Sequence, residues 1–510
     1  MSFFEIRLNL RELRRIRLTT LRAPDLLMNA AAILRILGIL MMLFSLTMLP
    51  PAFVGLMYGD AEPGLFLLAF AVLLSIGLSI WLPVRNYRKD LRLRDGFMVV
   101  VLFWWVLSLS GTLPFLLSTA HTLSFTDSLF ESVSGLTTTG ATVITHLDDL
   151  PRSLLFYRQQ LQWLGGMGII VLAVAILPML GIGGMQLYRA ETPGPMKDNK
   201  LTPRITETAK ALWFIYLSLT VACGLAYWLA GMEPFDAVGH AFSTIAIGGF
   251  STHDASIGYY DSTAIEMIAV AFMFIAGINF ALHFVAWRSR SGRNYLQDPE
   301  VRAYTLLLLG VAALSTLFLM IHQTYDGFWE AAAAALFQAV SIGTTTGFTT
   351  AEYATWPVFL PVLLLFASFV GGCAGSTGGG IKVIRFVLLV KQGHREIQRL
   401  IHPNAQLPVK VGGKVMREQV IAAVWGFFAL YVAAFAVMML AMMATGLDQI
   451  TAFSAVAATI NNLGPGLGQV ATHFADLSDP AKWIAVFAML LGRLEIFTLL
   501  VLFTPTYWRR

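Results

Sequence analysis

The sequence predicts an all-α polytopic membrane protein. Four repeats of spanning helix, pore helix, loop and second spanning helix (M1–pore-helix–M2) stand in pseudo-fourfold arrangement, preceded by an N-terminal two-helix hairpin. Three observations carry this prediction. Hydrophobic residues make up 57% of the 510-residue chain and charged residues only 13%, about half the charged share of soluble domains. Several apolar stretches exceed the roughly 18 residues that a membrane-spanning helix requires. Finally, a Gly-centred stretch recurs four times: Thr137-Thr138-Thr139-Gly140-Ala141-Thr142, Ala246-Ile247-Gly248-Gly249-Phe250-Ser251-Thr252, Thr344-Thr345-Thr346-Gly347-Phe348-Thr349-Thr350 and Asn461-Asn462-Leu463-Gly464-Pro465-Gly466.

The central glycines Gly140, Gly249, Gly347 and Gly464 lie 109, 98 and 117 residues apart, the signature of an internal repeat. A second marker keeps the same register, because the residue 28 positions beyond each is again glycine: Gly168, Gly277, Gly375 and Gly492. Six positions before the first three central glycines stands a serine (Ser134, Ser243, Ser341), with Ala458 in the fourth.

Taken in order, residues 1–30 form a basic amphipathic segment, with no cleavable signal because its apolar continuation is too long for a signal-peptide core. Two apolar helices follow near 31–57 and 64–86, joined at Asp60 and Glu62. The first helices of the repeats are predicted near 97–120, 209–230, 302–322 and 417–443. The second helices are predicted near 153–180, 262–288, 355–390 (interrupted) and 480–504. The runs near 125–136, 235–245, 328–343 and 447–459 are too short and polar to span. They read as re-entrant half-helices, which membranes tolerate only inside protein or beside a watery cavity. This divides the chain into 1–96 (basic N-terminus and hairpin), 97–190 (repeat 1), 191–290 (repeat 2), 291–400 (repeat 3, with an intramembrane loop) and 401–510 (repeat 4).

Basic residues set the orientation. The loops between repeats carry Arg189, Lys197, Lys200, Arg204 and Lys210, then Arg288, Arg290, Arg293 and Arg302, then the stretch from Arg385 to Arg417, and last Arg509 and Arg510. Loops within repeats are acidic or neutral. All but Arg152, Arg158, Lys382, Lys482 and Arg493 fall on one side, so ten helices should span, with both termini cytoplasmic and the Gly-centred loops opening outward. The net charge of +5 is therefore loop charge and implies no nucleic acid; the immediate partner is membrane lipid. Cys223 and Cys373 sit in apolar segments and imply no disulfide framework.

Four half-helices entering from outside would aim their C-terminal carbonyls inward, where they have no helical partners and carry partial negative charge. Glycine permits the φ > 0 backbone that turns successive carbonyls toward one axis. Carbonyl oxygens replacing a hydration shell are the physics of a K⁺ filter. The candidate filter is Thr138, Thr139, Gly140, Ile247, Gly248, Gly249, Thr345, Thr346, Gly347, Asn462, Leu463 and Gly464. The ion itself would sit among Thr138, Thr139, Ile247, Gly248, Thr345, Thr346, Asn462 and Leu463. No carboxylate ring occurs there, which argues against a divalent-cation site.

These motifs, with Trp163-Leu164-Gly165-Gly166-Met167-Gly168, the Gly-rich break at 371–380 and the lone Arg493, resemble the Trk/Ktr/HKT superfamily of K⁺ transporters over residues 97–510. The additional hairpin is similar to the TrkH-like membrane subunits of the Trk branch. The resemblance implies K⁺ uptake across a bacterial inner (plasma) membrane and K⁺ as the transported ion, with no organic cofactor in this chain. It also implies a homodimer and a cytosolic nucleotide-binding regulatory subunit (TrkA-like). Relatives that prefer Na⁺ replace the first filter glycine by Ser, so Gly140 favours K⁺; the fourth loop departs most from Thr-x-Gly.

Below the filter, Gly371, Gly372, Gly375, Ser376, Thr377, Gly378, Gly379 and Gly380 belong to a stretch with six glycines in ten residues. At about 1 kcal/mol each relative to Ala, they break the helix into a loop standing in the pathway. Arg493, directly after Gly492, shares that depth, and an intramembrane Arg marks an ion path. The loop and Arg493 are expected to form a gate, with a pairing of Arg493 to Glu495 or to loop carbonyls compatible with it. Lys382 is expected to snorkel to the inner face. Asn279 is expected to line the cavity or bond between helices, and Asp127, Asp236, Glu330 and Asp448 to cap half-helix N-termini. His240 and His283 are expected to be packed helix residues.

The chain contains no Walker sequence, His-Glu-x-x-His or Gly-x-Ser-x-Gly, so no enzyme is expected. Two alternatives to a channel-like pathway stay open: K⁺/H⁺ or K⁺/Na⁺ symport, with Glu266 and Glu495 as coupling candidates, and a KdpA-like subunit of a K⁺-transporting ATPase.

Overall fold

A computed structural model describes residues 30–60, 62–87, 93–179 and 205–508. The basic N-terminal segment, Lys89 and Arg92, the loop from Glu191 to Lys200, Arg204 and the last two arginines lie outside these residues. The described chain is helical apart from one two-residue hairpin, β1 (Lys410–Val411) against β2 (Lys414–Val415), which the sequence did not announce.

The hairpin in front comprises α1 (Ala30–Ser45) continuing into α2 (Leu49–Tyr58), and α3 (Pro63–Trp81). Its helices touch at glycines: a Cβ on Gly38 would lie 2.9 Å from the Gly77 carbonyl, and one on Gly77 3.0 Å from that of Gly38. Small residues permit such close approach where lipid supplies no hydrophobic drive. The buried Glu62 carboxylate ties the hairpin to the end of α4 (Leu93–Leu117), accepting from Ser118 Oγ and from the Thr119 and Ala120 amides at 2.7–3.0 Å.

Four units then follow. Their first helices are α4, α7 (Ile205–Leu229), α12 (Pro299–Ile321) and α16 (Glu418–Ala444). Their short helices are α5 (Phe125–Leu136), α8 (Pro234–Ala246), α13 (Phe328–Gly343) and α17 (Gln449–Ile460). The second segments are α6 (Arg152–Met179), then α9 (Thr263–Ala276) with α10 (Phe280–Ser289) and, past the short α11 (Arg293–Gln297), α14 (Phe359–Val370) with α15 (Val383–Ile401). The last is α18 (Asp479–Arg493) with α19 (Phe497–Leu500), and α20 (Pro505–Trp508) ends the described chain.

Each short helix packs on the second segment of the unit before it: α8 on α6, α13 on α9, α17 on α14, and α5 on α18. The last pairing joins unit 1 to unit 4 and closes a circle. Six described helices are long and apolar enough to span, and up to eight if the bent pairs α9–α10 and α18–α19 each count as one. The remaining two of the ten expected spans are α6, which runs into undescribed residues, and the α14–α15 segment.

The sequence predicted an interruption only in the third second helix. The structure interrupts all four close to the +28 marker. Gly168 departs from helical geometry inside α6 (φ 39°, ψ −158°), α9 ends at Gly277 before a 92° bend, α14 ends at Gly371, and α18 turns by 107° after Arg493. The marker glycines therefore lie at or beside breaks in the second segments.

Candidate ion pathway

The four Gly-centred stretches begin where α5, α8, α13 and α17 end, and they share one backbone path. The residue two before each central glycine is left-handed: Thr138 (φ 55°), Ile247 (55°), Thr345 (70°) and Asn462 (54°). The glycines follow at φ 80°, 79°, 84° and 102°. Left-handed Thr and Ile are outliers, each costing about 1–3 kcal/mol and persisting only where surroundings over-determine them. Glycine alone was expected to supply this geometry; half of it comes from β-branched residues and Asn.

The determinants are local and repeated. The amide one before each glycine returns to the residue five before it: Thr139 to Ser134 O (2.9 Å), Gly248 to Ser243 O, Thr346 to Ser341 O and Leu463 to Ala458 O (each 2.8 Å). The repeated serine thus acts through its carbonyl, which is why Ala458 serves in the fourth unit. Hydroxyls brace two of the loops, Thr137 with Thr139 and Thr344 with Thr346 at 2.7 Å each.

The four stretches meet. A Cβ added to Gly140 would lie 2.1 Å from Gly248 O, on Gly249 2.0 Å from Thr346 O, on Gly347 2.2 Å from Leu463 O, and on Gly464 2.8 Å from Thr139 O. Each central glycine therefore abuts the carbonyl preceding the next unit's glycine, and the fourth returns to the first. The twelve candidate filter residues form one closed ring, sealed by backbone approach that only glycine allows. Cross-braces hold it: Asn462 Nδ2 donates to Thr139 Oγ1 at 2.9 Å, and Gln162 clasps the second loop, donating to Gly248 O (2.6 Å) and accepting from Phe250 N (3.0 Å).

Directly under the ring, the second-segment glycines lie against carbonyls at the ends of the short helices. A Cβ on Gly165 would meet Leu136 O at 1.9 Å, on Gly378 Thr344 O at 2.8 Å, on Gly379 Asn461 O at 1.9 Å and on Gly492 Ile460 O at 2.1 Å. The 371–382 loop fills this level. Thr377 Oγ1 donates to Ile245 O (2.9 Å), Gly379 N to Thr345 Oγ1 (2.7 Å), Gly380 N to Asn461 O (3.1 Å) and Cys373 N to Gly277 O (2.9 Å). Arg493 enters from the fourth unit and donates to Thr138 Oγ1 and Thr377 O (3.2 Å each), Gly166 O (3.3 Å) and Gly165 O. The guanidinium is bound to carbonyls of the loop and of α6, while Glu495 accepts from Arg385 at 2.6 Å.

Other side chains differ from expectation. Lys382 turns back to the Gly378 carbonyl within the loop instead of snorkelling. Asn279 caps α10, accepting from Ala281 N at 2.8 Å, and lies against Gly375. Asp448 does cap α17. For α5 the cap is Ser124, and Asp127 pairs with Lys482 at 2.6 Å. Asp236 accepts from Thr252 Oγ1 (2.8 Å) and faces His253 Nε2 (3.2 Å), and on α13 no side chain caps. His253, which also contacts Asp148, joins the segments that follow the Gly-centred stretches of units 1 and 2. Burial pulls its pKa down, but the bonds and charges of Asp236 and Asp148 outweigh this and hold it above its ordinary value. His240 is packed between Asp236 O and Ser251 Oγ at 2.9 Å each, and His283 between Tyr295 and Ile275 O.

Sequence reasoning missed the pair Glu131–Arg158, 2.8 Å apart and with side chains 0% and 1% exposed. It links α5, α6 and both outgoing strands, through Thr142 Oγ1 (3.1 Å from Arg158 Nη2), Val143 N (3.0 Å from Glu131) and Ser251 O (3.2 Å from Arg158 Nη1). The signal was present, since a Glu inside a half-helix and an Arg breaking the charge asymmetry both ask for partners. Losing one member strands a buried charge, at about 3–5 kcal/mol. Arg158→Ala should therefore lower the thermal midpoint in detergent markedly, whereas Arg152→Ala, which breaks a half-exposed pair with Glu233, costs under about 1 kcal/mol and should move it little.

Comparison with known proteins places this geometry. The TrkH family model, described as a cation transport protein, matches residues 65–510. The Trk system potassium uptake protein TrkH of Vibrio parahaemolyticus is 60% identical over 484 residues, covering 94% of this chain and all of the relative. The TrkH of Escherichia coli K12 is 57% identical over 482 residues, again 94% of this chain and all of the relative. TrkG of the same organism is 44% identical over 472 residues, 92% of this chain and 97% of the relative. A crystal structure of the potassium transporter TrkH from Vibrio parahaemolyticus superposes with a TM-score of 0.87 at 57% identity, covering 94% of this chain and all of that one.

Proposed function

The chain belongs to the TrkH family of cation transport proteins, transporters and not enzymes, and from that premise we propose that it takes up K⁺ through a gated, channel-like pathway. Its relatives carry the name of potassium uptake proteins. The observation that carries the finer reading is the closed ring, in which each central glycine abuts the next unit's carbonyl.

Carbonyls of Thr138, Thr139, Ile247, Gly248, Thr345, Thr346, Asn462 and Leu463 replace the water of one K⁺ ion. A ring of neutral oxygens held by cross-braces suits a monovalent cation, whose hydration is cheap enough to exchange. The inward ends of the four short helices add partial negative charge. Beneath them the 371–380 loop and Arg493 form the gate. The units run 97–190, 191–290, 291–400 and 401–510, after the hairpin within 1–96. The protein lies in the bacterial inner membrane among lipids, with both termini cytoplasmic. It works as a homodimer, and a TrkA-like nucleotide-binding subunit docks on the inner face, a reading that rests on family resemblance.

The test is electrical. Purified full-length protein in planar bilayers under a K⁺ gradient should give currents that reverse near the K⁺ equilibrium potential. A reversal potential that moves instead with a proton or Na⁺ gradient would replace this reading by coupled symport.

A further inference from the structure

The 371–382 loop is glycine-rich and offers few apolar anchors, so hydrogen bonds must hold it. One of its holding groups is a buried carboxylate outside the ring and the loop. Glu300 stands in the first turn of α12 and is 7% exposed. Asp298 Oδ1 caps that turn, accepting from Glu300 N (2.9 Å) and Val301 N (3.0 Å), so the side chain of Glu300 is free to reach away from its own helix. Its Oε1 accepts from Ala374 N at 2.7 Å and from Ile384 N at 3.1 Å.

Those two amides flank the centre of the candidate gate. Ala374 lies inside the Gly-rich stretch, and Ile384 lies in the first turn of α15. One oxygen thus fastens both shoulders of residues 375–383. Other backbone amides of the loop donate to Gly277 O, Thr345 Oγ1 and Asn461 O, and its Thr377 carbonyl accepts from Arg493. From the cytosolic side the clamp is covered by the β1–β2 turn, where a Cβ on Gly412 would lie 3.0 Å from Pro299, the residue before Glu300. Val409 and Val411 pack there with Ile384 and Leu388.

We propose that Glu300 is a positioning residue that clamps the 371–382 loop closed from its two shoulders. A local role, satisfying two helix-terminal amides and nothing more, would leave loop opening unchanged when the carboxylate is removed. A clamp would not, since losing both hydrogen bonds makes opening about tenfold more frequent or more.

The chain carries its own reporters. Cys373 is buried inside the loop, whereas Cys223 is buried in α7 and outside it. Full-length protein in liposomes is treated with a maleimide, and labelling at each cysteine is followed by peptide mass spectrometry alongside K⁺ flux. Glu300→Ala should raise Cys373 labelling about tenfold or more, with Cys223 unchanged. Glu300→Gln, which keeps a neutral acceptor oxygen, should fall between it and the native protein. Unchanged Cys373 labelling in Glu300→Ala overturns the clamp, and so does a parallel rise at both cysteines, which would mean that Glu300 supports the whole fold. The flux arm rests on the loop being the gate. A selective rise at Cys373 with greater flux supports both ideas, and the same rise without greater flux supports the clamp and sinks the gate.

Discussion

Gly347→Ala is expected to abolish K⁺ passage, by about 100-fold or more, in protein that still folds. The cost has two parts. At φ 84° an alanine pays about 1–2 kcal/mol for the left-handed conformation, which a protein of this size absorbs. The second part is positional. The new methyl would stand 2.2 Å from Leu463 O and 2.7 Å from Pro465 Cδ, far inside contact distance, and neither belongs to a flexible side chain. Leu463 cannot retreat freely, because its amide is bound to Ala458 O at 2.8 Å and the preceding Asn462 is pinned to Thr139 and Met489. The carbonyl must therefore turn or shift, and it is one of the oxygens assigned to the ion. Rubidium-tracer or K⁺ uptake into proteoliposomes reads the loss, with monodisperse elution and the thermal midpoint as checks on folding. Native flux with an unchanged K⁺ over Na⁺ preference would remove the ring from the ion's path.

How far the sequence reaches is shown by contrasts within one repeat. The loops were legible because glycine is the one residue whose need is written in its identity, and four glycines at two fixed registers leave little freedom. The short helices were legible too: α13 spans Phe328–Gly343 as the pattern requires, since a polar run bounded by apolar helices has few other places in a membrane. The breaks in the second segments were half legible. Six glycines announce the one at 371–382, but the turn after Arg493 uses Glu495 and Ile496 at φ 53° and 51°, residues with no local taste for that conformation. The left-handed Thr138, Ile247 and Thr345 are held by the local amide-to-carbonyl bond that closes each loop, whereas tertiary packing imposes this turn. Partners distant in sequence were illegible for the same reason. Asp127 looked like a cap, but Ser124 already supplied one, and the carboxylate was drawn to Lys482, 355 residues away. Glu300 gave no sign at all, because its meaning lies in two backbone amides that composition cannot show.

Arg493→Ala is expected to raise K⁺ flux by roughly tenfold to a hundredfold. With an effective dielectric near 20, a unit charge about 6 Å from a passing cation opposes it by roughly 3 kcal/mol, so removing the guanidinium lowers the barrier by up to that amount. The geometry adds a second effect of the same sign. Arg493 binds Thr377 O of the loop, Gly165 O and Gly166 O of the first unit, and Thr138 Oγ1 of the ring. It thus ties three units together at the level of the plug. Once it is gone, those oxygens face the path and can solvate the ion, and the loop loses one of its anchors. Arg493→Lys separates the two effects, since lysine keeps the charge but cannot reach four acceptors with a planar fork. Flux near native in the lysine variant and high in the alanine variant would mean that charge sets the barrier; high flux in both would mean that tethering does. If the folded alanine variant conducts no better than the native protein, Arg493 is a structural brace, and the barrier to the ion must be sought elsewhere in the loop.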